Sequence, residues 1–68
     1  MLHMKELRLK SGLTQEEIAL ILRVSQSTYS KYENGQSDIP VEILVEVSKL
    51  YGVSVDYLLG ITPITKKQ

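Results

Sequence analysis

The chain has 68 residues and a formal net charge of zero, because eight lysine and arginine residues balance eight aspartate and glutamate residues. It contains no cysteine and one histidine near an end, which excludes a disulfide framework and argues against a metal site. With neither a membrane-spanning run nor a signal peptide, the composition predicts one small cytoplasmic domain stabilised by helix packing or self-association.

The spacing of the apolar residues predicts an all-α fold of five short helices. The first covers about residues 4–11 and ends at Gly12. The second begins at Thr14, which with Glu17 three residues later forms the sequence signature of a capping box. Its predicted apolar face comprises Ile18, Ala19, Ile21 and Leu22.

The third predicted helix, residues 25–34, is unusually polar. Its only apolar side chains, Tyr29 and Tyr32, share one face at a spacing of three, which favours the core over a role in base stacking. Only Arg23 and Val24 separate the second helix from the cap residue Ser25. Because this link is too short for an antiparallel arrangement, it predicts the steep crossing of a helix-turn-helix.

The fourth helix is predicted to begin near Pro40, and the fifth covers about residues 54–59. The apolar face of the fourth comprises Leu44, Val47, Leu50 and Tyr51. Residues 1–61 are therefore predicted to form one domain, and residues 62–68 a flexible C-terminal tail.

Residues 13–35 resemble the helix-turn-helix of the Cro/repressor-type regulators, also called the XRE family, and residues 39–44 and 51–59 resemble that family's fourth and fifth helices. The resemblance implies a lambda-repressor-like DNA-binding domain whose helix-turn-helix is formed by helices two and three. Position 23 departs from the pattern, since the family usually has glycine there. Arg23 is therefore expected to be a strained left-handed residue or part of a variant turn, with a reach to a phosphate.

The resemblance also implies that the third helix enters the major groove of DNA. The residues expected to contact bases are Gln26, Ser27, Ser30 and Lys31. Those expected to contact phosphates are Thr14, Gln15, Arg23, Thr28, Asn34 and Gln36. Considered in isolation, such polar residues more often form a solvated helix face, so their interpretation as DNA contacts depends on the motif around them. Neutral donors can position a duplex without a surplus of positive charge.

Two structural roles follow from the same resemblance. Family members often pair an arginine of the first helix with the glutamate before Asn-Gly, which here implies an ion pair between Arg8 and Glu33. Small members often dimerise through the fifth helix, and the residues of the expected homodimer interface are Val55, Leu58, Leu59 and Ile61. A two-fold dimer would place its recognition helices about 34–36 Å apart on a near-palindromic operator.

The expected function is sequence-specific binding of double-stranded DNA by a small transcriptional regulator, a repressor in our interpretation. A protein-interaction module of antitoxin type on the same scaffold is the alternative, favoured by the neutral net charge. The exposed glutamates lack the accompanying His, Cys or phosphate loop of a catalytic site, so neither an enzyme nor a cofactor or small-molecule ligand is expected. The operator, the regulated gene and the choice among phage repressor, antitoxin and restriction-modification controller stay open.

Overall fold

Residues 3–61 of the chain are described by a computed structural model, and they form five α-helices without a strand. The helices are α1 (Met4–Lys10), α2 (Gln15–Leu22), α3 (Gln26–Glu33), α4 (Val41–Tyr51) and α5 (Val55–Leu58). Their number and order match the prediction, and their ends differ from it by one or two residues. The tail predicted for residues 62–68 lies outside the described residues. Within residues 3–61, no helix combines the length and the apolar character needed to cross a membrane.

Side-chain caps explain where the helices begin. The Glu17 N–H donates to Thr14 Oγ1 at 3.0 Å, and the Thr14 N–H donates to Glu17 Oε1 at 2.8 Å, so the predicted capping box is formed. Ser25 and Ser54 cap α3 and α5 by accepting a backbone N–H three residues later. These caps satisfy backbone donors that a short helix leaves unpaired, and each contributes about 0.5–2 kcal/mol.

The core is formed by side chains from all five helices, with Met4 contributed by α1 and Leu58 by α5. Helix α2 packs against α3 and α4, and α5 packs against α4. Both predicted core tyrosines, Tyr29 and Tyr32, are buried. The buried apolar residues are Met4, Ile18, Ala19, Leu22, Tyr29, Tyr32, Ile43, Val47 and Leu58.

Three apolar residues are placed differently from the sequence prediction. Leu58 is 0% exposed, so it fills the core of the single chain and the prediction that it lies in a dimer interface is wrong. Ile21 and Leu50 were predicted to face the core, but both are exposed. They lie at the edges of their helices' apolar stripes, where about 100° of the circumference suffices to cover a small core.

The turn between α2 and α3 has a left-handed residue at its centre. Arg23 has φ 62° and ψ 40°, and it is the only non-glycine residue among those described that has a positive φ. The Val24 N–H donates to Ala19 O at 3.0 Å, which closes the turn, and the Val24 side chain packs against the core. Of the two conformations left open for Arg23, the left-handed one is present, at a cost of about 1–2 kcal/mol.

Candidate functional site

The carboxylate of Glu33 lies at the centre of a hydrogen-bonded cluster that joins α1, α2 and α3. Arg8 donates to it twice, from Nε to Oε2 at 2.6 Å and from Nη2 to Oε1 at 3.3 Å. The Tyr29 hydroxyl donates to Oε2 at 2.8 Å, and Gln15 Nε2 donates to Oε1 at 3.1 Å. Arg8 also donates to Leu13 O at 2.9 Å, so the cluster holds the loop before α2 as well.

The two charges of this cluster are shielded from water, since the Arg8 and Glu33 side chains are 8% and 2% exposed. Burial acts to raise the pKa of Glu33, but the hydrogen bonds from Arg8, Tyr29 and Gln15 outweigh it and hold that pKa below its ordinary value. The hydrogen bond to Glu33 raises the pKa of Arg8, whereas burial raises the pKa of Tyr29. At neutral pH the pair is therefore ionised and the phenol is neutral, and the cluster has no net charge.

Acid should remove the contribution of Glu33 to stability. Its pKa is lower in the folded chain than its ordinary value of 4.5, so the stabilisation is complete above that value and declines as the pH falls through the folded pKa. The measurement is urea unfolding between neutral pH and acid. The control is the apolar-cluster variant (Arg8→Met, Tyr29→Phe and Glu33→Met), which keeps every other carboxylate. Parallel pH curves for the two proteins would contradict this assignment.

One side of α3 presents hydrogen-bonding side chains to solvent. We call it the outer stripe, and its members are Gln26, Ser27, Ser30 and Lys31. With about 3.6 residues per turn, Ser27, Ser30 and Lys31 lie on the side away from the buried tyrosines, and Gln26 lies at its edge in the first turn. Gln26, Ser27 and Lys31 are exposed, and none of their side chains hydrogen-bonds to another described residue. Their donors and acceptors are therefore free to meet an external partner.

The predicted phosphate-contacting residues fall into two groups. Arg23 and Gln36 are exposed without a side-chain hydrogen bond to another described residue. The other four already make internal contacts: the Thr14 hydroxyl accepts from Glu17 N–H, and Gln15 Nε2 donates to Glu33. Thr28 Oγ1 accepts from the Ser25 hydroxyl at 2.8 Å, and Asn34 Nδ2 donates to Ser30 Oγ at 3.5 Å.

The predicted interface residues other than Leu58 remain accessible. Val55 and Leu59 are half-buried, and Ile61 is 63% exposed. The start of the described chain lies against the same helix, since the His3 ring stacks on Tyr57 with centroids 4.5 Å apart. The His3 N–H also donates to Leu58 O at 3.0 Å, which fixes α5 to the beginning of α1.

Sequence reasoning missed several of these contacts. The Tyr29–Glu33 hydrogen bond had a local signal, because residues four apart are neighbours on a helix. The Gln15–Glu33 bond and the stacking of His3 on Tyr57 join distant parts of the chain and had no such signal. Among residues 3–61, no group of three or more His, Asp or Glu side chains could hold a metal ion.

Comparison with known proteins places these features in context. A family model described as Helix-turn-helix matches residues 4–58. The chain is 42% identical over 64 residues to the HTH-type transcriptional regulator ImmR of Bacillus subtilis (strain 168), an alignment covering 94% of this chain and 50% of ImmR.

Two further relatives are named for different roles. The HTH-type transcriptional activator BcrR of Enterococcus faecalis is 39% identical over 57 residues, covering 84% of this chain and 28% of BcrR. The antitoxin PezA of Streptococcus pneumoniae serotype 4 is 34% identical over 58 residues, covering 85% of this chain and 37% of PezA. The chain thus spans half or less of the length of these relatives.

Proposed function

The chain belongs to the XRE-type helix-turn-helix family of DNA-binding transcriptional regulators. On that premise we propose that the chain forms a homodimer and that each subunit uses α3 to recognise a specific DNA sequence. The observation that carries the proposal is the outer stripe, in which Gln26, Ser27 and Lys31 are exposed and have no internal hydrogen-bond partner. The other side of the same helix is fixed by two buried tyrosines and Glu33. A stripe that is merely solvated would not need so rigid a support.

The outer stripe has the chemistry to read base edges in the major groove. A glutamine amide can pair with adenine N6 and N7, and a lysine ammonium can donate to guanine O6 and N7. We therefore assign adenine to Gln26 and guanine to Lys31, while Ser27 and Ser30 can hydrogen-bond to any of several bases. The phosphate contacts come from Arg23 and from neutral donors, which are Thr14, Gln15, Thr28, Asn34 and Gln36.

Selection of bound sequences from a random duplex pool tests this proposal. We expect a near-palindromic site, with half-sites one DNA turn apart, that contains adenine and guanine at the positions facing Gln26 and Lys31. Recovery of no enriched sequence would overturn sequence-specific binding, and enrichment of a single unrepeated half-site would overturn the dimer.

Arg23→Gly should change stability and DNA affinity in opposite directions. Glycine adopts a positive φ without a steric cost, so the free energy of unfolding should rise by about 1 kcal/mol. Loss of one cation near a phosphate from each subunit should weaken DNA binding and reduce the slope of log K against log salt by about 2 for the dimer. Arg23→Lys is the control, because it keeps both the charge and the strained backbone. An unchanged salt slope in Arg23→Gly would remove Arg23 from the phosphate contacts.

Self-association is proposed to use Val55, Leu59 and Ile61. Ile61→Asp should raise the dimer dissociation constant at least about tenfold, because each copy loses a buried apolar side chain and gains a charge. Sedimentation equilibrium measures the effect. Leu20→Asp is the matched control, since Leu20 is an exposed apolar residue on α2. A wild-type chain that is monomeric at high micromolar concentration would refute the interface.

We propose repression as the direction of regulation, because a dimer across two adjacent major grooves blocks other proteins from the same DNA. Transcription in vitro from a promoter that overlaps the selected site should fall as protein is added. A rise in transcription would overturn repression and indicate activation, the role for which one relative is named.

Binding of a protein by the same scaffold is the second candidate, supported by the zero net charge and by the relative named an antitoxin. The salt dependence of duplex binding distinguishes the two functions. Specific DNA binding that weakens steadily with salt supports the regulator, whereas duplex binding that is absent even at low salt supports the protein partner.

A further inference from the structure

We propose that Glu33 positions the side-chain amide of Gln15 for contact with a DNA phosphate, and so acts in DNA binding as well as in the ion pair with Arg8. The inference rests on the proposed DNA-binding function. It starts from a difference among the donors around Glu33. Arg8 and Tyr29 are buried, whereas Gln15 is half-buried where α2 begins and is accessible from outside.

An ionised carboxylate only accepts hydrogen bonds, so Gln15 can meet Glu33 only through its nitrogen. The distance of 3.1 Å from Gln15 Nε2 to Glu33 Oε1 therefore fixes which end of the amide points inward. The nitrogen carries two hydrogens, and Glu33 receives one of them. The second remains available as a donor, which is the group that a phosphate oxygen requires.

Fixing the amide in this way favours phosphate binding for an energetic reason. A glutamine side chain free on the surface has several rotamers and either amide end outward, and binding must select one of these states. The bond to Glu33 makes that selection in the free protein, so less conformational entropy is lost when DNA binds. The cluster around Glu33 thereby connects the packing of three helices to one contact with the duplex.

A purely structural bond between α2 and α3 is the competing explanation, and a double-mutant cycle in DNA affinity separates the two. In the wild-type chain, Gln15→Ala should weaken binding to the selected site about three- to tenfold per half-site, as expected for one hydrogen bond from each subunit. In the apolar-cluster variant, where Gln15 has lost its anchor, Gln15→Ala should change the affinity less than about twofold.

Tyr29→Phe alone is the matched control. It removes a different hydrogen bond to the same carboxylate, from the Tyr29 hydroxyl to Oε2, and leaves the bond from Gln15 to Oε1 in place. In this background Gln15→Ala should retain its full three- to tenfold effect. An equal effect of Gln15→Ala in all three backgrounds would overturn the positioning role.

Nuclear magnetic resonance of the wild-type chain decides the question if the apolar-cluster variant does not fold. One side-chain amide proton of Gln15 should exchange slowly with water in the free protein, and the other should shift when DNA is added. Two rapidly exchanging protons, or no shift on binding, would overturn the inference. A wild-type chain that selects no DNA sequence refutes the proposed function and this inference together, whereas site selection with an additive cycle refutes the inference alone.

Discussion

Glu33→Ala should leave about half of the protein unfolded at room temperature. The substitution leaves the Arg8 guanidinium buried beside Tyr29 without a counter-charge, and loss of one partner of a buried ion pair costs about 3–5 kcal/mol. A core of this size supplies only about 3–5 kcal/mol of net stability in total. The loss therefore equals the whole margin by which the folded state is favoured. Urea unfolding followed by circular dichroism measures it.

The apolar-cluster variant is the control for this prediction. It removes both charges and the Tyr29 hydroxyl together, so neither an unpaired charge nor an orphaned phenol remains, and we expect it to stay folded. The Leu13 carbonyl and the Gln15 amide lose a partner, but both residues are only half-buried. An alanine variant whose unfolding midpoint matches that of the wild-type chain would show that the pair contributes little.

Gln26→Ala and Lys31→Ala should each weaken binding to the selected DNA site by about 1–3 kcal/mol per half-site, because each removes the side chain assigned to one base of that half-site. The corresponding loss of affinity is about 5- to 150-fold. Each change should also relax the preference at one base pair and leave the others intact. Both residues are exposed, so the free energy of unfolding should change little.

Glu46→Ala, on the exposed side of α4, is the matched control and should leave both affinity and specificity unchanged. The measurement is titration of a labelled duplex and of duplexes with single base-pair changes. Unchanged affinity and specificity in both Gln26→Ala and Lys31→Ala would mean that α3 is not the helix that reads DNA.

Local signals predicted most of the fold. Thr14, Ser25 and Ser54 mark helix starts because each side chain caps the backbone next to it, and such contacts need only the neighbouring sequence. The error at Leu58 has the opposite cause. A helix of four residues is about one turn long, so apolar spacing cannot show which of its side chains faces inward.

The candidate site was less predictable than the helices. The Arg8–Glu33 pair was expected only through a family resemblance, since 25 residues separate the two side chains and no periodicity relates them. The bond from Gln15 to Glu33 likewise spans 18 residues. Such contacts depend on the angle at which the helices cross. That angle depends on how all the core side chains pack together, so no local stretch of sequence predicts it.

The short link between α2 and α3 has a consequence for how the protein meets DNA. The link is closed by a backbone hydrogen bond and Val24 packs on the core, so we expect the crossing of the two helices to change little on binding. In the DNA-binding mode proposed above, the protein would then keep its shape on binding, and the duplex would have to deform to fit it. Sites whose base steps bend or twist easily should then bind more tightly than stiff sites with identical contacted bases, and part of the specificity belongs to the mechanics of the DNA.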